Sequence, residues 1–343
     1  MGNFGFIRQS FLLNKAKPLV NVTNFEWCEV YKPNQSLNKI RGKIDFTFIS
    51  FYCKLWNIGE WTWMRTAIVT DSTAYITPEE RARLNIRMIP LSVNIAGELF
   101  AEEIDITASE FYDKVRGAKE FPKTTQPPVG EFAAIFEELA KDYDEVVSIH
   151  LSSGISGTYQ GAVQAGEMVD NIDVYSFDSE ISCAVQGFYV LRAAEMAAEG
   201  FSAKDILAAL ADMQQYIRAY FIVDDLAHLQ RGGRLSAAAA LIGGLLQVKP
   251  VLHFVDKVIV PFEKIRTRKK ALKRAEELLA QDASKYEAMD AAVIHGNCQT
   301  EAEEWMAQLA ASYPNVNFKL SYFGPVIGTH LGEGAMGLGW TKK

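Results

Sequence analysis

From residue 66 onward, apolar and polar positions follow two alternating rhythms. Short, nearly continuous apolar runs such as TAIVTD (66–71), VVSIHL (146–151) and IDVYSF (172–177) have the length of buried strands. Between them lie segments whose apolar positions recur at helical spacing. Two of these helices announce their starts. Thr77-Pro-Glu-Glu80 offers an N-cap hydroxyl, proline at the first helical position and early acids, and Thr107-Ala-Ser-Glu110 is a capping box for a helix through about Val115. MIPLSVNI (88–95) and ELFAEEI (98–104) flank Ala96-Gly97 and predict a hairpin. Further helices are expected over 129–141, after the stretch ending at Gln160 and over 183–199. Strands alternating with helices imply a parallel sheet covered on both faces.

After a helix at 202–216 the pattern changes. AYFIVDD leads into LAHLQRGGR and the small-residue run LSAAAALIGGLL, and VLHFVDKVIVPFEKI reads as two strands around Asp256-Lys257. A basic helix, the strand DAAVIHG, a helix over 300–312 and the strand NFKLSYF follow. The fold class is therefore α/β in two domains. Residues 64–216 carry the parallel sheet, and residues 217–343 form a smaller mixed α/β domain.

Residues 1–63 do not share this order. They hold four of the six tryptophans and eight Lys/Arg against four Asp/Glu, in a chain whose net charge is −7. No period organises them. They are expected to be a non-native or disordered extension, with the natural start at Met64.

The acidic balance, and the lack of a basic stripe with interleaved aromatics, argue against a nucleic-acid partner. Arg266-Thr-Arg-Lys-Lys270 reads as a solvated helix face. Cys28, Cys53, Cys183 and Cys298 are widely spaced and read as free thiols in a reducing compartment. Without an apolar run of about 20 residues or a signal peptide, a cytoplasmic protein is expected. The five histidines show no ligand spacing, so neither metal nor cofactor is expected. Asp224-Asp225 are read as ending a strand and capping the next helix.

Three segments are richer in hydroxyls and glycine than turns require: Lys123–Pro128, Ser153–Gln160 (SGISGTYQ) and Gly328–Gly339 (GTHLGEGAMGLG). All three are read as loops. In open α/β sheets such loops gather at the carboxyl ends of strands, where hydroxyls and helix N-termini hold anions. Ser156 and His330 stand in the chain order of an α/β-hydrolase, which keeps a serine esterase as an alternative, although Gly154-Ile-Ser-Gly-Thr158 breaks the nucleophile-elbow pattern. A cradle for a carboxylate or phosphate, its apolar tail buried behind, fits the three segments better.

The opening IVTDST, Thr124-Thr-Gln-Pro127 with Gly130-Glu-Phe132, LSSGISGTYQ, DDLAHLQRGGRL, Lys249-Pro250 and GTHLGEGAMGLG, in this order, resemble the DegV family over residues 66–339. The resemblance implies a DegV-like two-domain fold that buries a long-chain fatty acid between its domains. It also implies kinship to the acyl-binding subunit of bacterial fatty acid kinase, which presents the bound acid to a separate ATP-dependent kinase for acyl phosphate formation. On that basis Thr124 and Ser156 hold the carboxylate, with Thr125, Ser153, Gly157 and His330 as neighbours. Arg231 and Arg234 would meet the partner or shape the domain junction. The protein would have no catalytic site of its own, and transient contact with a membrane surface is compatible with such a role. A lipid-responsive regulator is a further alternative. Thr125, Pro128, Gly161 and Glu333 depart from the usual pattern, and the added charge of Glu333 is expected to face solvent or a partner.

Overall fold

The structure, a computed structural model, describes residues 65–118, 120–235 and 249–343. The expectations for residues 1–63 and a start at Met64 lie outside the described residues, as does the small-residue run 236–246.

The chain enters through β1 (Thr66–Asp71), α1 (Pro78–Leu84), β2 (Ile86–Ile89), β3 (Ser92–Ile95), β4 (Glu98–Ala101), α2 (Ala108–Val115), β5 (Lys123–Thr125) and α3 (Val129–Leu139). It continues through β6 (Glu145–His150), α4 (Thr158–Gly166), β7 (Asp173–Asp178), α5 (Cys183–Ala198) and α6 (Ala203–Gln214). Then come β8 (Arg218–Ile222), α7 (Ala227–Arg231), β9 (Val251–Val255), β10 (Val258–Glu263), α8 (Arg268–Ala283) and β11 (Met289–His295). The last elements are α9 (Gln299–Ser312), β12 (Val316–Tyr322), α10 (Pro325–Leu331) and β13 (Met336–Lys342).

Strands β2-β1-β6-β7 form a parallel sheet in that order. Every residue of β1 and β6 is buried, as expected of central strands covered on both faces. Alternation then assigns the faces: Ile68, Val147 and Ile149 join one core, while Ala67, Val69 and Val146 join the other beneath α3 and α4. The expected capping box forms at Thr107/Glu110, the expected N-cap at Thr77 forms and is completed to a box by Glu80, and each hydroxyl cap contributes about 1 kcal/mol.

A second sheet runs β10-β9-β8-β13-β11-β12, antiparallel throughout except for the parallel pair β11–β12. Met336, Leu338 and Trp340 of β13 face α8 and α9 in one core. The other face of this sheet, with Phe221, Ala292 and Ile294, shares a core with α5 and with one face of the parallel sheet. That shared core positions the site.

Two expectations are corrected. MIPLSVNI is not one strand. Ile86–Ile89 pairs parallel to β1, whereas Ser92–Ile95 pairs with β4 and β5 in a separate three-stranded antiparallel sheet. Pro90 has no N–H to continue the ladder, and the Leu91 N–H goes instead to Ser72 Oγ at 3.1 Å. The hairpin turn itself forms at Ala96-Gly97, both at positive φ. The second correction concerns Gly328–Gly339, expected as a loop. It holds most of helix α10 and the first half of β13, the strand hydrogen-bonded to both β8 and β11. Tertiary packing overrides the low local propensity, because a Cβ at Gly328 would press on the Tyr112 hydroxyl at 2.6 Å. Lys123–Thr125 is likewise a short strand, with Thr124 opposite Val93.

Candidate functional site

The N-terminal end of α10 is held by a carboxylate buried in the core. Glu102 accepts from Ser72 Oγ at 2.6 Å, from Tyr75 Oη at 3.1 Å and from the Val326 N–H at 2.8 Å. Its burial, opposed by these donors, raises its pKa to about 8. Nothing in the sequence distinguishes this glutamate from Glu103 beside it.

At the other end of α10, His330 Nε2 lies 2.9 Å from Thr124 Oγ1. The ring is buried, and its pKa falls to about 3, first because of desolvation and then through Arg234 and His228. It is therefore neutral. Its Nδ1 has no hydrogen-bond partner among the described residues. A buried unpaired N–H costs more than an unpaired lone pair, which places the proton on Nε2. Thr124 then accepts from His330, and its own hydroxyl hydrogen is free for a ligand. Gly232 makes the arrangement possible, since a Cβ there would collide with His330 Nδ1.

The loop Ser152–Gly157 follows β6. Asp71 sets its origin by accepting the Leu151 N–H at 2.9 Å, together with His150 Nδ1 at 3.0 Å and Gln186 Nε2 at 3.1 Å. Ser152 Oγ donates to the Lys257 carbonyl at 2.6 Å, and Gly154 lies so close to that carbonyl that a Cβ would collide with it. The turn Asp256-Lys257, both residues at positive φ, thus docks the β9–β10 hairpin onto the loop. Ser156 Oγ pairs with Thr158 Oγ1 at 2.8 Å, next to Gly157, which begins α4 without a side-chain cap.

These segments meet at one cavity of about 310 Å3, near the small end of the roughly 300–1,000 Å3 range of ligand sites. Thr124, Thr125, Ser156, Gly157, His330 and Arg234 line its polar end. Leu151, Phe221, Phe254, Ile294 and Phe323 are among the apolar residues that line the remainder. Arg234 donates to the carbonyls of Ile155 and Gly232 at 3.1 and 2.6 Å, and no carboxylate among the described residues pairs with it. Half-burial lowers its pKa, which marks a cation short of solvation beside the cavity.

Not every expected residue joins. Ser153 does not line the cavity: its N–H and hydroxyl both donate to Asp178, at 3.1 and 2.5 Å. Arg231, expected at a partner or the domain junction and not in the cavity, is exposed and stacks over Phe121 at 5.8 Å. Glu333 turns outward to Arg116 and Asn297, at 2.6 and 2.7 Å, as expected of a charge kept away from an anion site. Asp225 Oδ1 accepts the Ala227 N–H at 2.8 Å one residue ahead of the N-cap of α7, Leu226, which has no side-chain cap. Cys183, at the first position of α5, lines the cavity and was not anticipated; its left-handed φ of 66° has no sequence signal.

Ser156 and His330 bond to different partners, so the esterase dyad is not formed. A Ser–His–Asp chain does occur elsewhere, with Ser148 Oγ 2.7 Å from His150 Nε2 and His150 Nδ1 3.0 Å from Asp71. All three side chains are inaccessible, so no substrate reaches that serine. Among the described residues, no three His, Cys, Asp or Glu side chains gather as a metal site, and no helix is long and apolar enough to cross a membrane.

Residues 65–343 match the sequence profile of the DegV family, whose description is that of an uncharacterised protein. The chain belongs to the DegV family. It is 60% identical over 281 residues to protein DegV of Bacillus subtilis, covering 82% of this chain and all of that relative. The crystal structure of that DegV, described as a fatty acid binding protein, superposes with a TM-score of 0.79, covering 82% of this chain and 100% of the other at 60% identity. A DegV family protein from Thermus thermophilus, described by its fatty acid binding, gives a TM-score of 0.77 at 31% identity, again covering 82% and 100%. The α/β architecture expected from the sequence is the DegV fold.

Proposed function

We propose that the cavity holds one long-chain fatty acid, its carboxylate on Thr124 and Ser156, and that the protein presents this acid in the cytoplasm to a separate ATP-dependent kinase. The carrying observation is a largely apolar cavity with a polar end assembled from four distant segments, those of Thr124, Ser156, Arg234 and His330. The fatty acid binding described for the B. subtilis and T. thermophilus relatives supports the same reading. A buried C16 tail contributes on the order of 10 kcal/mol gross at about 0.8 kcal/mol per methylene. Each hydrogen bond to the carboxylate adds roughly 1.5–3 kcal/mol. The tail therefore dominates affinity, and the hydroxyls decide which end faces out. Thr125 and Gln126, exposed at the polar end, put the head group within reach of a second protein. The protein supplies no cofactor in this scheme.

Ser156→Ala is expected to weaken binding about tenfold, the equivalent of one such hydrogen bond, and to reduce acyl phosphate formation further because the head group is no longer aligned. Titration with palmitate or oleate measures the first effect. ATP-dependent hydroxamate formation in host extract, with hydroxylamine as trap, measures the second. Equal binding and equal hydroxamate yield from the variant would remove Ser156 from the site. Absence of hydroxamate from loaded wild type would remove the kinase role and leave the binding role standing.

A further inference from the structure

We infer that Gly337, on strand β13, sets the greatest acyl chain length the cavity admits, an inference that rests on the fatty acid reading above. Residues paired across a sheet share a face, so Gly337 lies in one row with Phe221 and Ile294, and Gly339 in the next with Ala219 and Ala292. Phe221, Ile294, Ala219 and Gly337 all line the cavity. The floor under the tail is thus the bare backbone of a strand with neighbours on both sides.

Two side chains close over that floor. A Cβ on Gly337 would stand 3.0 Å from Phe323 Cζ, tighter than ordinary contact, with Ile294 Cβ at 3.5 Å and Phe221 Cβ at 3.7 Å. A Cβ on Gly339 would run into Val185 Cγ2, so the Val185 side chain already occupies the space over that glycine. Val185 also lines the cavity and is only 1% exposed. It forms the wall at which the open floor ends.

Gly337 is also remote from the head group. Val326 lies one turn of α10 below His330, about 6 Å at 1.5 Å per residue, and Phe323 precedes that helix. The ring over Gly337 thus belongs to the end of the cavity away from Thr124. A methyl added at Gly337 either fills this end directly or pushes the Phe323 ring into it. Both displace about one methylene of ligand. Each excluded methylene costs about fourfold in affinity, which is 0.8 kcal/mol converted. Trimming Val185 has the opposite effect, opening the space over Gly339.

The test loads wild type, Gly337→Ala and Val185→Ala with an equimolar mixture of lauric, myristic, palmitic, stearic and arachidic acids, then extracts and weighs the bound species by mass spectrometry. Gly337→Ala is expected to shift the distribution toward shorter acids and Val185→Ala toward longer ones, both relative to wild type. If both variants melt cooperatively and return the wild-type distribution, Gly337 does not gauge the chain. Should Gly337→Ala not fold, Phe323→Leu takes its place: trimming the ring over Gly337 is expected to admit longer acids, and an unchanged distribution refutes the gauge at Gly337. A wild type that carries no acid from the mixture refutes the fatty acid reading itself, a result distinct from either.

Discussion

Gly232→Ala is expected to lower fatty acid affinity about tenfold to a hundredfold while leaving the melting temperature within a few degrees of wild type. The backbone at Gly232 has φ −71°, which alanine adopts freely, so the effect is steric and not conformational. The added methyl would stand closer to His330 Nδ1 than either atom tolerates. His330 cannot retreat as a unit, because α10 is buried along its whole length and anchored at Val326 by Glu102. The ring must rotate off Thr124. The threonine hydroxyl then loses the donor that orients it, and with it the proposed charge-assisted bond to the carboxylate, of roughly 1.5–3 kcal/mol. Titration with a fluorescent fatty acid, alongside a thermal melt, measures both quantities. Unchanged affinity would mean that the Thr124–His330 bond does not organise the head-group end.

Glu102→Gln is expected to remove the fall in folding stability between about pH 6.5 and pH 8. In the folded protein burial raises the Glu102 carboxyl from 4.5 to about 8. Between those values the folded state holds a proton on Glu102 that the unfolded state has released, so this group's contribution falls as pH rises and levels off above about 8. Below about 6.5 the buried, neutral His330 opposes it, which leaves the net fall between about 6.5 and 8. A shift of that size corresponds to at most about 5 kcal/mol. Glutamine keeps an oxygen for the Val326 N–H and never ionises. Urea unfolding of both proteins from about pH 5 to about pH 9 tests this, with the difference curve isolating the one group. Parallel curves would show that another group is responsible.

What the sequence revealed depended on the range of the interaction. Thr77/Glu80 and Thr107/Glu110 are complete within four residues, and both boxes form where their spacing places them. The apolar runs of β1 and β6 are long enough to mark buried parallel strands without knowledge of their neighbours. Gly328–Gly339 is the counterexample. Its glycines look like loop residues, yet they serve close approach to Phe323, 14 residues before Gly337, and to Tyr112 and Val185, both more than 150 positions away. For the site, hydroxyl content marked the right loops but not which hydroxyl faces inward. Ser153 and Ser156 differ by three positions, and only the distant Asp178 decides that Ser153 turns away. The Thr124–His330 bond spans 206 positions and has no local signature; the family resemblance brought both residues forward.

The position of β13 has a consequence for biosynthesis. Strands β8 and β11 are not neighbours; each pairs with β13, which emerges from the ribosome after both. Until residues 336–342 are made, the growing chain has the hydroxyl loop and the histidine helix but no floor on which an acyl tail can lie. On the proposed reading, capture of the ligand waits for β13, and a nascent polypeptide stalled before Met336 leaves Phe221 and Ile294 without the strand that lies between them.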